Sequence, residues 1–338
     1  MRRDPADPFS YPHRDDTMTA HSRRSFIKAA AGAAAFAALP ASVRAAAPLA
    51  DKAAVGVHRM KLGQFQVTTL LDGYVDIDPS LLHGIDRKMI ASLLRLSHLP
   101  DGPVRTAVNA FLVNTGDKLV LIDTGARNVF GPTLGRLPEA LAAADVSPLA
   151  VDTILITHMH GDHIGGLLDA EGKVFYPNAT LRISRADIAF WTSDEARAKA
   201  PKDSQGGFDL ARKVVDAYGK RVEPLDPGTE IVPGIHAIAA YGHTPGHMTY
   251  LIESGGARLR AVGDILHVAP VQFPDVKVTL AYDSDANKAR AVREAIFAQA
   301  AKEGFPIAAA HLPFPGIGYI RQAGKSYVYD PIPWQLAV

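Results

Sequence analysis

The sequence Thr153-Ile154-Leu155-Ile156-Thr157-His158-Met159-His160-Gly161-Asp162-His163 joins an apolar run to a dense group of polar residues. Residues 153–156 are β-branched or aliphatic, which predicts a short buried strand. His158 and His160 are two residues apart, and in extended backbone such side chains point to the same face. Gly161 permits a sharp turn after them, so that Asp162 and His163 arrive close by.

This polar group predicts metal binding. Three imidazoles and one carboxylate are more ligands than one tetrahedral metal ion with an open position needs. The stretch therefore predicts two metal sites side by side. The alternative is a polar loop with chance histidines, but unpaired neighbouring imidazoles beside a buried strand are costly to desolvate.

The composition narrows the metal chemistry and the class of partner. The chain of 338 residues has no Cys, so disulfides and thiolate ligands are excluded and any metal must bind His and carboxylates. The formal net charge is +1, and residues 1–47 carry seven Lys or Arg and four Asp, which leaves the remainder slightly acidic. Because no basic surface is expected, we predict no nucleic-acid partner.

The N-terminus resembles a twin-arginine export signal. Ser22-Arg23-Arg24-Ser25-Phe26-Ile27-Lys28 precedes an Ala-rich apolar run over residues 29–39, and residues 43–47 offer cleavage sites. We therefore predict a signal peptide over residues 1–47 and a single folded domain over residues 48–338. The mature protein would then be periplasmic or secreted; the alternative is a disordered basic N-terminus. The sequence leaves open the cleavage position and whether Met1 or Met18 is the start.

The rest of the chain alternates predicted strands and helices. The apolar run is too short and no longer one follows it, so no integral membrane domain is expected. Asp72-Gly73 is predicted to end a strand over 65–71, and Asp285 is predicted to cap a long helix running to residue 302. Further strands are predicted at 110–114, 119–123, 180–184, 235–239, 248–252, 259–262 and 306–310, with helices at 134–144 and 208–218. The order fits a sandwich of two sheets with helices outside.

Four more polar motifs lie at the ends of predicted strands. Asp123, Asp264 and His311 each follow an apolar run, and Gly242-His243-Thr244-Pro245-Gly246-His247 precedes another. Residues at strand ends along one sheet edge can converge on a single site, because loops there are held by a rigid scaffold.

Taken together, these motifs resemble the ordered motif set of the metallo-β-lactamase fold. The resemblance implies an α/β fold, an αββα sandwich of two mixed sheets packed face to face with helices outside. It implies one metal ion bound by His158, His160 and His247, a second bound by Asp162, His163 and His311, and Asp264 bridging both. Asp123 matches an aspartate that orients ligands without binding metal. His243 matches a position that does not bind metal.

The ligand set implies hydrolysis. Two divalent ions about 3.5–4 Å apart can share a water whose pKa falls towards neutrality, and the resulting bridging hydroxide is a nucleophile. Asp162 and Asp264 are predicted to be catalytic, since they would hold the metals and accept a hydrogen bond from the hydroxide. Zn²⁺ fits His and Asp ligands best, while Mn, Fe and Co are not excluded by spacing. No general acid is evident, which favours substrates with good leaving groups.

A closer resemblance is to methyl parathion hydrolases, over roughly residues 58–330. It is carried by 111–116, 130–137, 156–160 and His311 with 314–318. By local motif, the aromatic residues that shape the substrate pocket of that family match Phe130, Trp191 and Phe208. His267 stands where an aliphatic residue is expected, and its position after Asp264 predicts either a pocket residue or an ordinary core residue. Gly161 stands where Pro is expected.

We therefore predict a zinc-dependent hydrolase of small neutral esters: organophosphate triesters such as methyl parathion or paraoxon, aryl esters and lactones. One alternative is an acyl-homoserine lactonase. Another, from a different class, is a periplasmic metal-binding protein without turnover. Related hydrolases are often dimers, and no feature of the sequence establishes a homodimer here. The native substrate and the metal used in vivo are left open.

Overall fold

The computed structural model describes residues 49–51 and 53–334. The predicted export signal, residues 1–47, lies outside the described residues. The chain divides into two units, Met1–Ala53 and Ala54–Val338, and every helix and strand given below belongs to the second.

Two seven-stranded sheets form the body of the second unit. The first has the order β1-β2-β4-β5-β6-β7-β8, with strands β1 (Val57–Leu62), β2 (Phe65–Ile77), β4 (Val104–Asn114), β5 (Leu119–Ile122), β6 (Thr153–Leu155), β7 (Thr180–Ser184) and β8 (Val222–Leu225). Strands β5 to β8 are parallel to one another and the remaining pairs are antiparallel.

The second sheet has the order β16-β15-β14-β12-β11-β10-β9. Its strands are β9 (Glu230–Val232), β10 (Ile235–Ala239), β11 (Met248–Ser254), β12 (Ala257–Gly263), β14 (Ile307–Ala309), β15 (Ile317–Ala323) and β16 (Ser326–Pro331). Only β12 and β14 run parallel in this sheet within the described residues. A separate two-stranded sheet pairs β3 (Leu82–His83) with β13 (Thr279–Leu280).

Eight α-helices connect or cover these strands in the described part of the chain. They are α1 (Arg87–Leu96), α2 (Leu137–Ala143), α3 (Gly161–Ile164), α4 (Arg185–Trp191), α5 (Asp194–Lys199), α6 (Gln205–Tyr218), α7 (Ala269–Gln272) and α8 (Ala286–Glu303). Asp285 caps α8 as predicted, since its carboxylate accepts a hydrogen bond from the Lys288 amide at 3.1 Å.

Three apolar layers hold the architecture together. The inner faces of the two sheets bury a common core that includes Phe111 and Ile122 from the first and Tyr250 and Ile252 from the second. The outer face of the first sheet packs against α2 and α6, and the outer face of the second packs against α8. This arrangement confirms the predicted sandwich of two mixed sheets with helices outside.

One element differs from the prediction in a way that matters for the site. Strand β2 does not end at Asp72-Gly73 but continues to Ile77 through a β-bulge. The bulge directs the buried Asp72 carboxylate at three backbone amides, those of Ala126, Gly135 and Leu137. Asp72 thereby anchors the loop that carries Phe130.

Among residues 49–51 and 53–334, no helix is both long and apolar enough to cross a bilayer.

Candidate metal centre

The polar motifs meet at one end of the two sheets. Asp123 follows β5, residues 157–160 follow β6, Asp264 follows β12 and His311 lies just beyond β14. Since β5 is parallel to β6 and β12 is parallel to β14, these carboxyl ends lie at the same edge.

Asp123 links the first two of these strand ends. It adopts a left-handed conformation with φ 58°, which Asp tolerates better than most residues. Its carboxylate accepts hydrogen bonds from the Thr157 amide and hydroxyl, both at 2.8 Å. Its Oδ2 lies 2.9 Å from Nδ1 of His163. Asp123 therefore fixes the orientation of His163, the role that the resemblance implied.

Four ligand-type side chains form what we call the first group: His158, His160, His243 and Asp264. Their ligand atoms all lie within 4.8 Å of one another. Nδ1 of His160 lies 2.9 Å from Nε2 of His158 and 3.0 Å from Nε2 of His243. Nε2 of His243 lies 3.4 Å from Oδ2 of Asp264. His158 and His160 do point to the same place, as their spacing predicts.

Asp283 orients His243 towards this group. Its Oδ1 lies 3.0 Å from Nδ1 of His243, and its Oδ2 accepts a hydrogen bond from the Leu280 amide at 2.9 Å. A proton on Nδ1 directed at this carboxylate leaves Nε2 free to bind a metal ion. Burial raises the pKa of Asp283, but the hydrogen bond and charge of His243 lower it further, so the carboxylate stays ionised.

His247 lies beside the first group but outside it. Its Nε2 accepts a hydrogen bond from the Asp264 amide at 3.1 Å, and its Nδ1 is buried without a hydrogen-bond partner. The resemblance implied that His247 binds metal and that His243 does not. In the structure His243 lies among the ligand atoms instead, and His247 accepts the hydrogen bond of the Asp264 backbone. Both lie in a loop without regular spacing, so the sequence pattern gave no signal to separate them.

The second group comprises Asp162, His163, Asp264 and His311, again with all ligand atoms within 4.8 Å. Nε2 of His163 lies 3.2 Å from Oδ1 of Asp264, and Nε2 of His311 lies 3.1 Å from Oδ2. His311 is held at its other nitrogen, since Nδ1 lies 2.9 Å from the Ala107 carbonyl oxygen. Asp264 belongs to both groups, the place predicted for a bridging ligand.

The loop that carries His311 is anchored by the first sheet. The amide group of the Asn109 side chain, on β4, donates to the carbonyl oxygens of Ala310 and Leu312 at 3.0 and 2.8 Å. This contact crosses from one sheet to the other and sets the distance between the two halves of the second group.

The charges around the two groups act in opposite directions. Burial, with the neighbouring imidazole His163, lowers the pKa of His158, and burial with His243 lowers that of His160 to about 3. Burial also acts to lower the pKa of His163 and His311, but nearby carboxylates, led by Asp264, outweigh it. The pKa of His163 is raised well above its usual value, and that of His311 to about 10.

The donor set fits metal ions. Nε2 of His163 and Oδ1 of Asp264 face each other, and both are buried without a hydrogen-bond partner. Such buried polar atoms are costly unless something satisfies them. A divalent cation between them would do so, and neutral imidazole with carboxylate oxygen suits Zn²⁺ and related metals.

The predicted pocket residues differ in their exposure. Trp191 is buried and its ring lies edge-on to that of His160 at 5.4 Å. Phe208 is also buried and packs behind Trp191, with ring centroids 4.7 Å apart. Phe130 is 54% exposed and lies over Gly161.

His267 faces the centre. Its Nε2 lies 3.0 Å from Oδ2 of Asp264, and its ring stacks on that of His311 at 4.8 Å. Gln272 accepts a hydrogen bond from its amide at 2.7 Å. The position three residues after Asp264 was the signal that the sequence offered for this residue.

The sequence profile of the Metallo-beta-lactamase superfamily matches residues 103–311, which contain every member of both groups. A Caenorhabditis elegans protein named beta-lactamase-like protein 2 homolog is 36% identical over 177 residues, which cover 52% of this chain and 51% of that protein. A probable metallo-hydrolase of Mycobacterium tuberculosis is 26% identical over 184 residues, 47% of this chain and 56% of that protein. The chain thus spans about half the length of these curated relatives.

Two solved structures match nearly their whole length. One, described as the hydrolase AbOPH in the beta-lactamase superfamily, is 37% identical with a TM-score of 0.80, covering 84% of this chain and 100% of that chain. The other is AidC, described as a dizinc quorum-quenching lactonase in complex with a homoserine product. It is 26% identical with a TM-score of 0.79, covering 83% of this chain and 99% of that chain. With its two sheets, outer helices and matched motifs, the chain belongs to the metallo-beta-lactamase superfamily of hydrolases.

Proposed function

We propose that this protein is a binuclear metal-dependent hydrolase of small neutral esters with good leaving groups, in the manner of aryl esterases, lactonases and methyl parathion hydrolases. The observation that carries the proposal is the pair of four-residue ligand groups that share one buried carboxylate, Asp264. A lone tetrahedral ion would not need the second set of imidazoles, so the two groups fit a pair of neighbouring ions.

We assign His158, His160 and His243 to one ion, and Asp162, His163 and His311 to the other, with Asp264 between them. The first assignment follows the geometry rather than the motif resemblance, because His247 is occupied with the Asp264 amide. Zn²⁺ is the ion that this His and carboxylate set fits best. When bound, two such ions would supply an activated water and polarise the carbonyl or phosphoryl oxygen of the substrate.

Asp162 and Asp264 are the proposed catalytic residues. Burial raises the pKa of both, but the neighbouring imidazoles, His163 first, lower it further, so both stay ionised at neutral pH. The Asp162 side chain is the more accessible of the two, at 14% exposure against 2% for Asp264. It can therefore accept a hydrogen bond from a nucleophilic water and orient it, while Asp264 holds the two ligand groups together.

The charge of the site supports a neutral substrate. The groups that most strongly shift the pKa values of the described ligands are His and Asp, and none is Lys or Arg. None of these groups supplies the fixed cationic charge that would favour a phosphodiester or carboxylate substrate. Phe130 and Trp191 instead offer apolar contact for an aryl or acyl group.

A hydrolysis screen with metal analysis on the same sample tests this proposal. Purified protein loaded with Zn²⁺ should contain two ions per chain and hydrolyse p-nitrophenyl acetate, dihydrocoumarin or paraoxon, and chelation should abolish turnover. Bound metal without turnover on any of these substrates would instead support the alternative of a metal-binding protein without catalysis.

Acyl-homoserine lactonase activity is the second candidate. Its support is the likeness to AidC, a lactonase whose solved complex contains N-hexanoyl-L-homoserine. Rates on N-hexanoyl and N-decanoyl homoserine lactones, measured beside those on aryl esters, decide between the two. A kcat/KM at least tenfold higher on the lactones would favour this candidate.

Export through the twin-arginine route is a separate part of the proposal. Expression of the full chain in a bacterium with that pathway should place the processed protein in the periplasm, and Arg23→Lys together with Arg24→Lys should retain it inside the cell. Unchanged export of the double variant would contradict this prediction.

A further inference from the structure

The buried carboxylate of Asp187 takes no part in the ligand groups described above. It lies on α4 and its residue is 0% exposed. Its Oδ2 accepts hydrogen bonds from the Met159 amide and the Thr244 hydroxyl, both at 3.0 Å, and its Oδ1 accepts one from the Gly246 amide at 2.6 Å. All three donors belong to the two loops that carry the histidines of the first group.

The position of these donors in the chain is informative. Met159 lies between His158 and His160, while Thr244 directly follows His243. Asp187 is therefore the common acceptor for two distant chain segments. Met159 and Thr244, which donate to the same oxygen, are 85 residues apart in the sequence. The first segment supplies His158 and His160 to the first group and the second supplies His243, so the separation of the segments sets the size of the site.

The loop around residue 246 is built to approach α4. A Cβ atom on Gly246 would lie 2.3 Å from the Asp187 amide nitrogen and 2.8 Å from its Oδ1. No side chain can be placed at that distance, so the close contact between loop and helix requires glycine. The three hydrogen bonds and this contact together make a fitted junction.

The junction also includes the pocket wall. Helix α4 ends at Trp191, one turn beyond Asp187, and the Trp191 ring lies edge-on to His160 at 5.4 Å. The hydrogen bonds of Asp187 therefore hold α4, and with it Trp191, at a fixed distance from His160. His160 directly follows Met159, whose amide donates to Asp187.

Burial raises the pKa of Asp187 to about 6, although its three hydrogen bonds act to lower it. The charged form is therefore held at a cost to stability. A buried charge with such a cost is better explained by the geometry that it fixes than by a contribution to stability.

We propose that Asp187 is a positioning residue that holds the two histidine loops of the first group and the Trp191 wall as one unit. The inference rests on the proposed function, because it assumes that the first group binds a metal ion. In this inference Asp187 fixes the distance between His160 and His243, and it also fixes the position of Trp191.

The test compares Asp187→Asn with the wild-type protein. An Asn side chain keeps the volume but has one acceptor oxygen, so it can serve either the Gly246 amide or the Met159 and Thr244 pair. We expect the affinity for the more weakly bound Co²⁺ ion, measured by chelator competition, to fall about tenfold. Losses of this size are typical when a residue that holds metal ligands in place is changed. Amide hydrogen exchange at Met159 or Gly246 in the metal-free protein should accelerate.

Trp191 provides a readout that does not need activity. The chain has two Trp residues, and Trp334 is 73% exposed, so Trp334→Phe leaves the buried Trp191 as the only fluorophore of its kind. In this background Co²⁺ should quench Trp191 emission, and Asp187→Asn should shift the metal-free emission to longer wavelength and weaken the quenching.

Two controls separate positioning from general destabilisation. Thr244→Val removes one donor and should show part of the loss of affinity, while Thr244→Ser should restore it. Asp72→Asn changes another buried carboxylate that accepts three hydrogen bonds, but its donors lie outside the histidine loops of the first group. It should lower the melting temperature without changing Trp191 emission.

The inference would be overturned if Asp187→Asn kept the Co²⁺ affinity, the amide exchange rates and the Trp191 emission of the wild-type protein. Its failure is distinguishable from failure of the proposed function. If the wild-type protein binds two ions but hydrolyses nothing, the affinity and fluorescence tests still decide the role of Asp187. If it binds no ions, the exchange and metal-free emission tests decide it.

Discussion

The first and second groups have the same number of ligand-type residues but opposite electrostatic character. The first has three imidazoles and the shared Asp264, and the pKa values of His158 and His160 are lowered, chiefly by burial. The second adds Asp162, with Asp123 behind His163, and the carboxylates there raise the pKa values of His163 and His311 against the effect of burial.

This difference teaches how the two ions would be bound. The pKa values of His158 and His160 lie well below their usual range, so protons compete little with a metal ion for these two imidazoles at pH 7. The second group attracts any cation, so an ion that binds it must displace protons. We therefore expect two unequal affinities, and only the ion at the second group should release protons on binding.

The largest effect should come from removing the residue that the groups share. Asp264→Ala takes away the carboxylate that lies within 3.6 Å of the imidazoles of His158, His163, His243, His267 and His311. We expect the metal content to fall from two ions towards one and kcat/KM on an aryl ester to fall about a thousandfold, or about 4 kcal/mol of transition-state stabilisation. Metal analysis and steady-state rates measure both, and survival of hydrolysis would show that Asp264 does not bridge.

The next effect separates the two histidines of the G-H-T-P-G-H loop. His243→Gln should remove one ligand of the first group, lower the affinity for one ion by about 10- to 100-fold and reduce turnover about a hundredfold. His247→Gln should keep two ions, because the Gln side-chain oxygen can still accept a hydrogen bond from the Asp264 amide. The reverse pattern, with an ion lost only in His247→Gln, would restore the ligand set implied by the motif resemblance.

These two histidines also show the limit of the sequence. Asp123, Asp264 and His311 could be placed at strand ends because apolar periodicity marks where a strand stops. His243 and His247 lie in a loop, where no period relates a residue to a direction. The orientation of His243 depends on Asp283, which is 40 residues later in the chain and reaches it only through tertiary packing.

Buried carboxylates were a second limit. Asp72-Gly73 is typical of a turn, and the turn prediction failed because the Asp72 carboxylate finds three backbone amides that allow β2 to continue through a bulge. Asp187, on α4, likewise belongs to no motif that the sequence marks out. In both cases the hydrogen-bond partners come from distant segments, and no local sequence pattern relates a carboxylate to donors so far along the chain.

A smaller effect should follow from changing the charge behind the second group. Asp123→Asn keeps a side chain beside Thr157 but removes the charge that helps to raise the pKa of His163. We expect the affinity for one ion to fall about tenfold, with two ions still bound at saturating Zn²⁺. In the metal-free protein the pKa of His163 should fall, so proton release on metal binding should decrease.

Calorimetry in two buffers of different ionisation enthalpy measures that proton release. Asp283→Asn is the matched change at the first group. It should lower the affinity for one ion without altering the number of protons released. Equal effects of the two variants on proton release would contradict the electrostatic distinction between the groups.

The smallest effect should come from Gly161, which lies between the second group and the pocket. It begins the one-turn helix α3, and a Cβ atom there would lie 3.1 Å from the Phe130 ring and from Val129. Because Phe130 is largely exposed, it can move by a few tenths of an ångström at little cost to stability. Gly161→Ala should therefore keep both ions and raise KM for aryl esters a few fold, with kcat nearly unchanged.

The matched control for that variant is Gly206→Ala, where an added methyl group would meet no atom within 4 Å. It should leave KM and metal content at their wild-type values. If Gly161→Ala lowers metal content instead of raising KM, the absence of a side chain at residue 161 serves the geometry of Asp162 and His163. If only KM rises, the absence of a side chain at residue 161 leaves room for the Phe130 ring. The stretch that binds the metals then also shapes the pocket, through the one position where it has no side chain.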